Sequence, residues 1–187
     1  MSNLDALLQN NARFAATDAK DRVPEIPFVP NRQVYVLTCI DPRVDPAATL
    51  GLALGDAIVA RTVGGRANQA FLDDLAWISY LHETKTPDTD WFELVVIHHT
   101  DCGSSLMADA ELRAGFVERG FDDDVVRRTA VVDLADTLAT DVRAIVDAPA
   151  VSGRITVSGY AYDVRSGRLE CLVAPTSREV VAGRSPA

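Results

Sequence analysis

Two stretches of this 187-residue chain concentrate side chains that could do chemistry. The first, V-Y-V-L-T-C-I-D-P-R at positions 34–43, ends in a thiol, a carboxylate and a guanidinium: Cys39, Asp41 and Arg43. The second, His98-His99-Thr100-Asp101-Cys102-Gly103, sets a histidine three residues before a cysteine. Zinc takes Cys and His ligands, and a catalytic site uses three from the protein while keeping a fourth position for water. Cys39, His99 and Cys102 would supply such a set. The H-x-x-C spacing lets both side chains turn inward from one loop, while Cys39 arrives from elsewhere. Neighbours on a strand point to opposite faces, so His98 and His99 would not both ligate, and the spacing favours His99. Each signal alone has a plain reading. A lone Cys is more often a small buried hydrophobe, and Asp41 with Arg43 could be a surface ion pair worth little. His82 and His98 read as packed or hydrogen-bonded histidines, and Cys171 as a packing residue.

Both stretches close short apolar runs, which is where a sheet would present them. Residues 34–37 and 92–97 are brief and rich in β-branched side chains, which predicts strands buried on both faces. In open α/β sheets, ligands collect at the carboxyl ends of strands. Residues 3–18 carry a helical apolar stripe of Leu4, Leu7, Leu8, Ala12, Phe14 and Ala15. Residues 20–32 hold Pro24, Pro27 and Pro30, so 1–32 reads as a helical arm followed by an extended connector. Asp45-Pro46 would cap a short helix ending near Gly55. Residues 57–60 would form a second strand, followed by the Arg61-Thr62-Val63-Gly64-Gly65-Arg66 loop and a helix over 67–80. Residues 104–113 read as a helix, and 115–130 as irregular or short helix. Leu134, Leu138, Val142 and Ile145 mark another helix. Residues 155–162 and 168–173 read as an antiparallel pair turned by 163–167. Strands alternating with helices predict a single α/β domain across 1–187: a mostly parallel sheet flanked by helices, with an antiparallel strand at one edge. Residues 183–187 read as a disordered tail.

The formal charge of −9 leaves no basic stripe for phosphates, which argues against a nucleic-acid partner. No apolar run approaches 18 residues, so no membrane span is expected. The N-terminus lacks a basic start and an apolar signal core, giving a cytoplasmic expectation. Three cysteines, odd in number and far apart, do not make a disulfide framework. No C-x-x-C pair points to a redox role.

The combination of motifs resembles the β-class carbonic anhydrases: C-x-D-x-R closing one strand, an arginine-led glycine segment, and H-x-x-C-G closing a later strand. The likeness runs on through Gly159-Tyr160-Ala161-Tyr162-Asp163-Val164 and Ser166-Gly167-Arg168-Leu169. It implies a parallel core in order 2-1-3-4 with a fifth, antiparallel edge strand. It implies one zinc per chain on Cys39, His99 and Cys102, with Asp41 and Arg43 as a carboxylate–guanidinium dyad beside it. It implies a carbonate dehydratase, a zinc lyase for reversible hydration of carbon dioxide to bicarbonate and a proton, built as a homodimer or higher homo-oligomer. Two departures touch the dyad and the pocket floor. Pro42 stands where Ser or Ala is common, and Thr62 where an Asn is usual. They keep two alternatives open: a zinc hydrolase of carbon disulfide or carbonyl sulfide, and a non-catalytic zinc-bearing dimer.

Overall fold

The apolar runs pair into one sheet, and the pairing order carries the two motif-bearing strands to its middle. The computed structural model describes residues 3–18 and 29–178. Its strands are β1 (Val34–Cys39), β2 (Ala57–Thr62), β3 (Glu93–His99), β4 (Thr156–Asp163) and β5 (Arg168–Thr176). They lie in the order β2-β1-β3-β4-β5, parallel except for β5, which runs antiparallel to β4. This is the mixed sheet expected from the sequence. The Asp163 carboxylate makes the last turn by accepting from the backbone N–H groups of Arg165 and Ser166, each at 2.8 Å.

The α-helices among the described residues are α1 (Asn3–Ala15), α2 (Pro46–Leu50), α3 (Gln69–Lys85), α4 (Ala110–Val117), α5 (Asp123–Arg128) and α6 (Leu134–Asp147). Side chains of Asp45, Asn68, Asp109, Asp122 and Asp133 each cap the helix that follows by accepting a backbone N–H. Such caps contribute about 1 kcal/mol apiece. The main core lies between one face of the sheet and helices α3 and α6. Leu37, Leu94, Val96 and Val157 meet Phe71, Leu75, Leu138, Val142 and Ile145 there, all buried. His82 is buried in this layer, its ring 4.3 Å from that of Trp91 and its Nδ1 2.9 Å from Thr86 Oγ1.

The structure differs from the sequence reading in three places. Helix α2 stops at Leu50 because Gly51 takes the left-handed conformation that ends a helix, at φ 68°. The run after β3 is a 3₁₀ turn (Gly103–Ala108), and Asp109 then starts α4 anew. Cys171 is exposed on the edge strand β5 and does not pack. Residues 20–28 of the expected connector and the tail expected at 183–187 lie outside the described residues.

A buried charge network ties these layers together. Asp141 of α6, 3% exposed, accepts from Arg66 Nε at 2.7 Å, and His98 Nε2 sits 3.1 Å from the same oxygen. Arg66 also donates to the carbonyl of Ala130 at 2.9 Å, and His98 Nδ1 meets Thr137 Oγ1 at 3.0 Å. Removing one member of a buried pair strands the other. Arg66→Met should therefore cost about 3–5 kcal/mol in urea unfolding. Arg32→Met should cost under about 1 kcal/mol, because Arg32 pairs with Asp56 through a largely exposed side chain.

Candidate metal centre

The centre forms where β1 and β3 end side by side. Beyond Cys39, the chain turns at once: Val44 N–H donates to the carbonyl of Asp41 at 3.1 Å, which places Pro42 second in a four-residue turn. That position suits proline, whose ring pre-sets the required φ. The proline's missing N–H is therefore no loss here. The same turn brings Arg43 N–H within 2.9 Å of Asp41 Oδ1. The guanidinium closes a two-pronged pair on the carboxylate, Nε to Oδ1 at 3.0 Å and a terminal nitrogen to Oδ2 at 2.7 Å. Those donors hold the Asp41 pKa down to about 2.

Arg43 is held from its far side as well. It donates to the Asp101 carboxylate at 2.7 Å and to the Asp101 carbonyl at 2.9 Å. Asp101 presents both groups by adopting φ 56°, a left-handed conformation that Asp tolerates better than most residues. Arg61 anchors the end of β1 from the neighbouring strand, donating to the carbonyls of Cys39 at 3.0 Å and Asp41 at 2.7 Å. Thr62 spends its hydroxyl on the carbonyl of Arg66 at 2.8 Å, closing the glycine loop. That loop needs its glycines. A Cβ on Gly65 would come within 3.1 Å of Cys39 N and Ile97 O, so the loop backbone lies directly on the junction of β1 and β3.

The three expected ligands converge. Cys39, His99 and Cys102 are all buried, and their donor atoms lie within 4.8 Å of one another. The two sulfurs stand 3.9 Å apart, far beyond the ~2.05 Å of a disulfide. Tetrahedral zinc with ~2.3 Å bonds to sulfur would hold two thiolates about 3.8 Å apart, so the spacing suits that ion. His99 Nδ1 donates to the carbonyl of Thr100 at 2.9 Å, which leaves the lone pair on Nε2. That Nε2 is buried and has no hydrogen-bond partner among the described residues. A buried, lone-pair-bearing nitrogen facing two thiols is an incomplete polar site that a cation would complete.

Electrostatics favour a single thiolate in the pair, on Cys102. The Cys102 thiol is pushed well below its usual range by the Cys39 thiol donating to it, with the Ser104 hydroxyl as a further donor; burial opposes the shift. The same hydrogen bond, helped by burial, pushes Cys39 up. Burial disfavours a charged His99, but Cys102, the Thr100 carbonyl and Asp41 together raise its pKa. The centre thus gathers negative charge on Cys102, which a metal cation would neutralise.

The structure places Asp41 beside these ligands but outside them, Oδ2 lying 4.0 Å from His99 Nε2. It does not bring in Cys171, His82 or His98, which lie elsewhere in the fold. Three contributors escaped sequence reasoning: Asp101, which grips Arg43; Ser104, whose hydroxyl lies 3.1 Å from Cys102 Sγ; and Arg61 as a holder of carbonyls. For Asp101 the signal was available, as a short polar residue inside H-x-x-C.

Residues 34–122, which contain all five of the expected ligand and dyad positions, match the protein family described as Carbonic anhydrase. Beta-carbonic anhydrase 1 of Mycobacterium tuberculosis is 25% identical over 173 residues, covering 90% of this chain and 97% of that protein. A carbon disulfide hydrolase of Acidianus is 26% identical over 172 residues, covering 79% of this chain and 80% of its own. Among solved structures, the carbonic anhydrase from Streptococcus mutans superposes with a TM-score of 0.74 at 28% identity, covering 92% of this chain and 98% of that one. Sheet order, the convergent Cys-His-Cys group and these likenesses agree, and together they indicate the β-carbonic anhydrase family.

Proposed function

We propose that the chain is a zinc-dependent carbonate dehydratase that interconverts carbon dioxide with bicarbonate and a proton. Cys39, His99 and Cys102 hold one zinc per chain, and the whole of 1–187 acts as one domain. The observation that carries this reading is the orphaned His99 Nε2 facing two buried thiols, with the Asp41–Arg43 pair 4.0 Å away. Bound there, zinc would supply Lewis acidity, lowering the pKa of water from about 15.7 toward 7 and so furnishing a nucleophile near neutral pH.

The chain's own residues do the rest. Asp41 Oδ2 accepts a hydrogen bond from the attacking water and fixes its lone pair toward the substrate carbon. Arg43 keeps that carboxylate ionised and turned aside from the ligand set, and Asp101 keeps Arg43 in place. The His99 Nδ1–H bond to Thr100 holds the imidazole in the tautomer that can ligate. Thiol ligands fit a reducing, cytoplasmic setting.

Carbon dioxide hydration followed by stopped flow on zinc-replete protein tests the reading. Activity should rise between about pH 7 and 9, as expected when a metal-activated water must ionise. Zinc-replete protein without turnover would overturn it. The carbon disulfide hydrolase relatives favour a second reading, hydrolysis of carbon disulfide or carbonyl sulfide. Turnover of each gas by the same preparation separates the two.

The working unit is proposed to be a homodimer or a higher homo-oligomer. Helix α1 exposes Leu4, Leu7, Leu8 and Phe14, each 41% or more accessible. Such a stripe marks a contact surface. Deleting residues 1–20 should weaken association or cause aggregation in sedimentation runs, and a stable monomeric full-length chain would rule the dimer out. No helix among the described residues is long and apolar enough to cross a membrane.

A further inference from the structure

The 3₁₀ turn after Cys102 turns one hydroxyl back into the centre. Ser104 is 6% exposed, and its Oγ lies 3.1 Å from Cys102 Sγ, which is its hydrogen-bond partner among the described residues. The glycine loop fixes that hydroxyl from the other side. A Cβ on Gly64 would come within 2.8 Å of Ser104 Oγ and of the Thr129 carbonyl, so the loop backbone closes tightly over it. Gly64 sits at φ 71°, a conformation that glycine takes without strain. Val131 lies against the same spot and belongs to the small apolar cluster around Cys39 and Cys102. The hydroxyl is therefore dry, confined and aimed at one sulfur.

We propose that Ser104 is a positioning residue for the metal centre: its O–H donates to the Cys102 thiolate, steadying that ligand and offsetting part of its charge. This rests on the metal-binding reading above. A ligating thiolate carries no proton, so the direction of the bond is fixed, with oxygen donating and sulfur accepting. Hydrogen bonds to a charged acceptor are roughly twice as strong as neutral ones, and low polarity strengthens them further. Two thiolates and a neutral imidazole cancel the charge of a divalent ion. A donor on one sulfur therefore leaves the ion more electrophilic than the ligand set alone would. Partners one step behind a metal ligand commonly change metal affinity 10–100-fold when removed.

The test replaces zinc by cobalt(II), whose sulfur-to-metal charge-transfer absorption reports the electron density on the thiolates. Ser104→Ala should move that band to lower energy, because the sulfur loses its donor. It should also weaken zinc binding about tenfold in competition with a chromophoric chelator, the lower end of the usual range. Ser105→Ala, at an exposed neighbour in the same turn, should leave both readings unchanged. Ser104→Gly also removes the hydroxyl, should shift the band the same way, and serves if the alanine chain does not fold. A band at the wild-type position overturns the proposal whatever the affinity does, because loss of packing alone would weaken binding without changing the sulfur. A wild-type chain that takes up neither zinc nor cobalt overturns the metal reading itself, a different result from an unmoved band.

Discussion

Cys39→Ser and Cys102→Ser should each lose nearly all bound zinc, and with it carbon dioxide hydration, while Cys171→Ser keeps both. The sulfurs of Cys39 and Cys102 stand 3.9 Å apart in a buried pocket, whereas Cys171 is exposed on the edge strand. A serine hydroxyl at either position would not ionise near neutral pH and would leave His99 Nε2 with one thiolate. Loss of a direct ligand should exceed the 10–100-fold typical of a residue behind one. Metal analysis after gel filtration gives the readout. Stoichiometric zinc in either variant would sink the ligand assignment.

Asp41→Asn should keep its zinc and lose activity by roughly 10²-fold or more, the scale of a group that orients or accepts a proton. The amide matches the carboxylate in shape, and Asp41 stands outside the ligand set, so folding and metal content should survive. The sign of the pH effect is separable. Arg43 holds the Asp41 pKa down to about 2, so the carboxylate is ionised throughout pH 6.5–9. A rise in activity across that range cannot be its titration. Asp41 pairing contributes stability that is fully present above the ordinary carboxylate pKa, near 3.9, and is lost as pH falls through about 2. Arg43→Ala should also retain zinc, yet free the carboxylate to enter the fourth ligand position and close the site. Full hydration activity in Asp41→Asn would remove the dyad from the chemistry.

Much of this architecture was legible because it is written in local patterns. The runs at 34–37 and 92–97 announced β1 and β3, and the motifs at their ends announced what the sheet would bring together. Asp45-Pro46 and the Leu134, Leu138, Val142, Ile145 spacing gave α2 and α6. Helix α4 was expected several residues too early, at 104–113, and α5 only as part of an irregular or short-helical stretch at 115–130, because eight and six residues are too few to establish a period, although Asp109 and Asp122 stood at their starts as caps. The Arg66–Asp141 pair joins residues 75 apart, and nothing local in either stretch selects that partner. Ser104 was invisible for a related reason. Ser104 read as the first residue of a helix over 104–113, and only the Gly64 backbone closing over it reveals where its hydroxyl points. Pro42 and Thr62 looked like damage to the site. In place, one pre-sets the turn that forms the Asp41–Arg43 pair and the other closes the loop beneath it.

The position of β1 beside β3, with β2 and α3 between them in the chain, also sets a timetable. Cys39 precedes Cys102 by 63 residues. At roughly 5–20 residues per second, a ribosome needs about 3–13 s to deliver the second thiol after the first. Even then the two meet only when a parallel crossover has been completed, which is slow compared with closing a local hairpin. A zinc finger can seize its ion from a short run of unfolded chain. Here His99 and Cys102 lie three residues apart, but Cys39 joins them only when β1 and β3 pair, so the full Cys-His-Cys group exists only in the finished sheet.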